Sequence, residues 1–141
     1  MRTNSRFTLA IQLLMVINAS KNTAITSEFF AEKLCCNPVM VRQLYGSLKK
    51  AKLIDVKTGV GTKLAKPADE ITLYDVYMAV EGEKAKHIFK FIDKPNDEYF
   101  KQFLLPYLYS SADAMMNELS KVTIAQLNSD FYPWREAHPD I

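Results

Sequence analysis

Apolar residues recur at helical spacing from the start of the chain. Phe7, Ala10, Ile11, Leu14 and Ile17 make one stripe, and Leu9, Leu13 and Val16 make a second. A helix that is apolar on two sides sits between two layers, so this segment is predicted to be buried, with Asn4 as its N-cap and the polar Ser20 to Thr23 ending it. A second, short helix starts after a cap at Thr26 or Ser27. It carries Glu28 in its first turn and turns Phe29 or Phe30, Ala31 and Leu34 inward. Asn37-Pro38 is a start signal, Asn as cap and Pro at the first helical position. The third helix then runs to about Lys50 with Val41, Leu44, Tyr45 and Leu48 on its inner face.

The period then changes. Leu53 to Lys57 reads as a strand, Gly59 and Gly61 mark a turn, and Lys63 to Ala65 is the returning strand. Thr72 caps a helix from Leu73 to Val80, and Gly82 stops it. Lys84 to Asp97 is charged and aperiodic, with a break at Pro95-Asn96. A long helix follows from Glu98 to Ser120, in which Phe100, Leu104, Tyr107 or Leu108, Ser111, Met115 and Leu119 recur at heptad-like spacing. Pro106 is expected to kink or divide it. Thr123 caps a last helix to about Phe131, and the tail after Pro133 is expected to be loose. The fold class is therefore mainly α with a small two-stranded wing: a winged helix-turn-helix over residues 1–82, and over residues 83–141 a linker, a dimerisation helix and a C-terminal helix.

The segment Ser27 to Leu44 meets the offsets of a helix-turn-helix. Counting Ser27 as the first position, the fifth is Ala31, the eighth Leu34, the fifteenth Val41 and the eighteenth Leu44, with the small Cys35 at the ninth, where glycine is frequent. The outer positions of the second helix are then Asn37, Pro38, Val39, Arg42, Gln43, Gly46 and Ser47. Arg reads guanine bidentately, Gln reads adenine, and small residues let the helix approach the groove.

Charge strengthens this picture. Residues 1–66 carry eleven Lys or Arg and three acids, a net of +8, while residues 67–141 carry seven and thirteen, a net of −6. The overall +2 hides a basic half that coincides with the helix-turn-helix, the footprint of a DNA-binding module. Lys49, Lys50, Lys57, Lys63 and Arg6 are candidates for neutralising phosphates, and affinity is expected to fall steeply with salt.

Other chemistry is sparse. Cys35 and Cys36 are the two cysteines of the chain and make no disulfide framework, which fits a reducing cytoplasm. At the turn between the two helices they are candidate redox residues, against the simpler reading of two small side chains filling a turn. The apolar run from Phe7 is broken by Gln12, lacks a cleavage site after it and is too short for a bilayer, so neither a signal peptide nor a membrane partner is expected. His87 and His138 have no partners at metal-ligand spacing and read as surface residues. No catalytic triad, phosphate loop or zinc motif occurs, so no enzyme, metal or cofactor is expected. The late aromatics Tyr99, Phe100, Phe103, Tyr107, Tyr109, Phe131, Tyr132 and Trp134 read as dimer and core packing rather than as an effector pocket.

The chain resembles the Rrf-two (Rrf2) family of bacterial winged-helix regulators, the group of IscR-, NsrR- and CymR-like proteins. The resemblance is carried by Ser5-Arg6-Phe7 with the apolar helix after it, by Asn37 to Leu44, by Leu48-Lys49-Lys50-Ala51-Lys52-Leu53-Ile54, by the glycine-tipped wing, and by Pro67 to Val76. It covers residues 1–82 in sequence and the remainder in architecture. It implies a homodimer on a near-palindromic operator, usually as a repressor. Two departures stand out. Many members hold an iron–sulfur cluster through three cysteines between the short helix and the long one, and here Glu83 to Tyr99 has no cysteine, as in the cluster-free branch of YwnA type. The wing, Lys57 to Thr62, is short and poor in glycine, so its minor-groove contact falls to Lys57 or Lys63 rather than to an arginine.

The expected function is thus sequence-specific binding of double-stranded DNA by a dimeric regulator, with Phe100, Leu104, Leu108, Met115 and Leu119 at the dimer seam and an effector, small molecule or protein, left open. The alternative is a winged helix that docks proteins. A docking face should be apolar, and Arg42, Gln43, Ser47 and Lys50 are not.

Overall fold

The computed structural model describes residues 5–20, 25–57, 59–82, 88–89 and 98–141. The expected cap Asn4, His87 and most of the charged stretch Lys84 to Asp97 lie outside the described residues. Among the described residues six helices and one hairpin follow in order: α1 (Ser5–Ala19), α2 (Ser27–Lys33), α3 (Pro38–Lys50), β1 (Ile54–Lys57), β2 (Gly61–Leu64), a 3-10 turn (Ala68–Glu70), α4 (Leu73–Glu81), α5 (Glu98–Leu119) and α6 (Ile124–Ala137).

The doubly apolar α1 is the centre of the fold. Leu9, Ala10, Leu13, Leu14 and Ile17 are buried, with α4 and α6 packed on it together with β2 and α3. Phe7 meets Tyr77 of α4 edge to face, with ring centroids 5.2 Å apart. Truncating a fully enclosed side chain such as Leu14 to alanine costs about 2–5 kcal/mol.

Thr26, rather than Ser27, caps α2: its hydroxyl accepts from the Phe29 amide at 3.1 Å. Of the two phenylalanines, Phe30 is the one enclosed, edge to face on Tyr45 of α3, while Phe29 is exposed and carries Lys33 over its ring at 5.5 Å. Asn37 caps α3, its Oδ1 accepting from the Val39 amide at 2.8 Å, with Pro38 at the first helical position. Val41, Leu44, Tyr45 and Leu48 face inward as the spacing predicts.

The C-terminus of α3 is closed by a Schellman motif. The Leu53 amide donates to the Leu48 carbonyl and the Lys52 amide to the Lys49 carbonyl, both at 3.0 Å, with Lys52 in the left-handed position that glycine usually fills. The wing is an antiparallel hairpin with Ile54 opposite Leu64, Asp55 opposite Lys63, Val56 opposite Thr62 and Lys57 opposite Gly61. Its strands begin one residue later and two residues earlier than expected: Leu53 is spent closing the helix, and the Val60 amide donates to the Lys57 carbonyl at 3.0 Å, which makes the tip tight.

Thr72 and Asp75 form a reciprocal capping box at the start of α4, and Gly82, at φ +56, ends it. The chain then returns. Thr72 and Thr123 pair as an isolated antiparallel bridge, with Leu73 donating to the Val122 carbonyl and Ile124 to the Ile71 carbonyl, each at 2.9 Å. Ile124 enters the same core as α1 to α4, and α6 lies along α1.

Two helices run through prolines. Of the two outcomes expected at Pro106, a kink or a division, division does not occur: α5 is continuous through it. α6 continues through Pro133 to Ala137, so the expected loose tail is helical for four more residues. Pro133 deprives the Ser129 carbonyl of its helical donor, but Ser129 and everything after it are exposed, so solvent can serve that carbonyl. Side chains close the final turn: Arg135 Nη1 donates to the His138 carbonyl at 2.7 Å, and the His138 ring stacks on Trp134 with centroids 4.7 Å apart.

Candidate nucleic-acid interface

α3 projects one polar, cationic face. Asn37, Pro38, Val39, Arg42, Gln43, Gly46, Lys49 and Lys50 are exposed, and Ser47 is half-buried. The same 3.6-residue period that sends Val41, Leu44, Tyr45 and Leu48 into the core sends these residues out. Val39, half exposed, is an apolar group able to meet a thymine methyl, and Arg42 and Gln43 stand one turn further along. At Gly46 an added Cβ would meet nothing within 4 Å, so the glycine there leaves room for an approaching surface rather than for packing.

The surrounding charge follows the backbone. Lys49 and Lys50 end α3, where its negative dipole end favours cations. Lys57 and Lys63 are exposed on the wing, but the register sets Asp55 directly opposite Lys63, which tempers that cation and leaves Lys57 the freer one. Arg6 is half-buried on the first turn of α1, with Nε enclosed and without a hydrogen-bond partner among the described residues.

Two further residues belong here that the sequence reading passed over. Lys52 is exposed between α3 and the wing, adding a cation at the junction. Glu28 has its carboxyl held below the usual range, first by a hydrogen bond from its own backbone amide, against slight desolvation, then by the Ser27 and Thr26 hydroxyls and by the charge of Arg42. α2 therefore holds an acid within weak electrostatic reach of Arg42. Only spatial proximity reveals this pairing.

Cys35 lies between α2 and α3 with φ +49, exposed rather than buried, and Cys36 is half-buried against the core. The simpler reading of two buried fillers therefore holds for neither fully. The left-handed backbone is the conformation that glycine, frequent at this ninth position, adopts without strain.

α5 buries none of its residues in the single chain. Of the expected seam, Phe100, Leu104 and Met115 are exposed, and Leu108 and Leu119 are half-buried. Tyr99, Phe103, Tyr107 and Tyr109 are exposed as well. Among the described residues no helix is long and apolar enough to cross a membrane.

A buried helical core, a helix-turn-helix with a cationic outer face and a two-stranded wing define a winged-helix transcriptional regulator. The family model of Rrf2, described as iron-dependent transcriptional regulators, matches residues 3–130, and the chain belongs to that family. It is 37% identical over 94 residues to the helix-turn-helix-type regulator YwnA of Bacillus subtilis strain 168, a stretch covering 66% of this chain and 68% of that one. A crystal structure assigned to a DNA-binding protein superposes with a TM-score of 0.71 at 31% identity, covering 87% of this chain and 98% of that one. The fold is also that of CymR, the global cysteine regulator of B. subtilis, with a TM-score of 0.68 at 16% identity, covering 92% and 97% of the two chains.

The donor set does not fit the iron–sulfur cluster that the resemblance raises. A cluster is held by several thiolates, and this chain has two cysteines in all, adjacent at the α2–α3 turn. Among the described residues no three His, Cys, Asp or Glu side chains converge as a metal site.

Proposed function

We propose that this regulator is a homodimeric repressor that binds a near-palindromic operator and works in the cytoplasm without an iron–sulfur cluster. The observation that carries the reading is the face of α3, where Arg42, Gln43, Asn37 and Val39 are exposed together above a fully buried inner stripe. α3 enters the major groove, Arg42 and Gln43 meet base edges, and Lys49, Lys50, Lys52, Lys57 and Lys63 neutralise phosphates. Residues 1–82 form the DNA-binding unit, with α6 as a brace behind α1. The apolar face of α5 pairs with its mate and sets two α3 helices about one DNA turn apart, or a multiple of it. The acidic charge of the C-terminal half suits a part that stays off the duplex.

A gel shift on the DNA upstream of its own gene, and selection from a random-sequence duplex pool, test this reading. Arg42→Ala should weaken specific binding by about 1–3 kcal/mol and leave non-specific binding nearly unchanged. Equal losses on both would reduce Arg42 to a phosphate contact. A wild-type chain that enriches no duplex at low salt, yet captures a protein through the α3 face, would mean a protein-docking module.

A further inference from the structure

Gly46 is the one glycine of the four in this chain whose backbone does not call for glycine. Gly59, Gly61 and Gly82 stand at positive φ, whereas Gly46 lies inside α3 in ordinary helical conformation. Packing does not call for it either, since a Cβ added there would meet nothing within 4 Å. Alanine would fit the free chain and make a better helix, because glycine in a helix interior loses more conformational freedom on folding. The free protein thus carries a cost at Gly46 that no contact among the described residues returns.

The place of Gly46 on α3 shows what could return it. Leu44 and Leu48, two residues to either side and about 160° round the helix, are both fully buried, so Gly46 faces away from the core. Arg42 and Gln43 stand four and three residues before it, and Lys49 and Lys50 three and four after, all four exposed. Residues at those spacings are neighbours on a helix surface. Gly46 is therefore a bare patch of helix backbone ringed by four long polar side chains. Val39, 50% exposed, lies on nearly the same line about 10 Å toward the start of the helix. A surface resting on the patch meets the backbone itself. Arg42 and Gln43 then reach it from one end, and Lys49 and Lys50 from the other.

Resting on the regulator reading above, we propose that Gly46 is the seat of α3 on the floor of the major groove. The helix enters until its backbone there lies against base-pair edges, and that depth brings Val39, Arg42 and Gln43 within reach of bases. Gly46 is a positioning residue for sequence-specific binding, and what it contributes is the side chain it lacks. Any larger residue would improve the free helix and hold it off the floor.

The test uses the full chain and a duplex that the wild-type protein selects from a random-sequence pool. Gly46→Ala should melt about 2–4 °C above wild type. It should bind the selected duplex at least about tenfold more weakly. Binding to a duplex of unrelated sequence, which phosphate contacts hold, should not change. Gly46→Val, larger and still a better helix former than glycine, should bind the selected duplex more weakly again without melting below wild type. Wild-type affinity in Gly46→Ala overturns the proposal, as does a loss that fails to grow from alanine to valine. Equal losses on the selected and unrelated duplexes also overturn it, by setting Gly46 against phosphates rather than bases. A Tm of Gly46→Ala below wild type overturns it as well, since the glycine would then serve the fold. A wild-type chain that selects no duplex sinks the regulator reading itself, whereas normal selection with an unaffected Gly46→Ala sinks the seat alone.

Discussion

Cys35 and Lys52 bracket the recognition helix, one just before its cap and one just after its last turn, and they are the non-glycine residues with left-handed backbone among those described, at φ +49 and +60. An L-residue in that conformation costs about 1–2 kcal/mol, part of which glycine gives back through its freer unfolded chain. Cys35→Gly and Lys52→Gly should therefore each raise stability by about 0.5–1 kcal/mol, read as an increase of ~2–4 °C in Tm. Lys52→Gly should at the same time weaken DNA binding and lower the slope of log K against log salt by about 1, the signature of one lost phosphate contact. A more stable chain with an unchanged salt slope would show that Lys52 merely tolerates its position.

The helix-turn-helix was legible because every signal in it is local. Asn37-Pro38 is a cap and a first turn, and Val41, Leu44, Tyr45 and Leu48 follow one period. Phe29 and Phe30 could not be separated in that way, since adjacent residues on a short helix lie about 100° apart and only the position of Tyr45 decides which of them is enclosed. Left-handed Cys35 and Lys52 carried no residue-type signal. The path of α6 was hidden for a different reason: its extension past Pro133 depends on solvent exposure, and its return to α1 depends on contacts between residues far apart in the chain. The proposed DNA-binding face was read from the outer positions of α3, but the influence of Arg42 on Glu28 and the exposure of Lys52 at the junction appear only in three dimensions.

The return of α6 along α1 also carries a polar clamp. Asn18 Nδ2 donates to Asn128 Oδ1 at 3.0 Å, and Asn128 Nδ2 donates to the Met15 carbonyl at 3.0 Å. Asn128→Ala leaves the half-buried Asn18 amide without its acceptor and should cost about 1–2 kcal/mol in urea unfolding. The Asn18→Ala, Asn128→Ala double variant should lose less than the sum of the singles, by about 0.5–1 kcal/mol. Strict additivity would mean that the two amides act independently.

Burial pushes the Tyr45 phenol up to about 12, against the opposing effect of Thr62 and with a small addition from Glu28. The sign follows from linkage: between the ordinary phenol value near 10 and about 12, the unfolded chain has lost this proton while the folded chain keeps it, so the unfolded state gains. The stability contributed is complete below pH 10 and is lost as pH rises toward 12, by up to about 2 kcal/mol. Chemical denaturation across that window should show a steeper alkaline decline for wild type than for Tyr45→Phe. Parallel declines would place the responsible groups elsewhere.

The exposed face of α5 makes the last prediction the most direct one for assembly. Leu104 is 39% exposed and Phe100 69%, on a helix that gives no side chain to the core. A charge introduced there leaves the buried core of the single chain intact, since α5 contributes no buried residue to it, and opposes chiefly what covers the face. Leu104→Asp combined with Leu108→Asp should yield a monomer by sedimentation, with the helical signal retained and Tm shifted by whatever pairing contributed. DNA affinity should then fall by about 10²-fold or more, because two linked half-sites engage with an effective concentration that separate monomers lack. The separated chains should still bind a single half-site weakly, with the same dependence on Arg42. A variant that stays dimeric would locate the seam away from Leu104 and Leu108, and one that is monomeric yet binds the full operator like wild type would remove dimerisation from the mechanism.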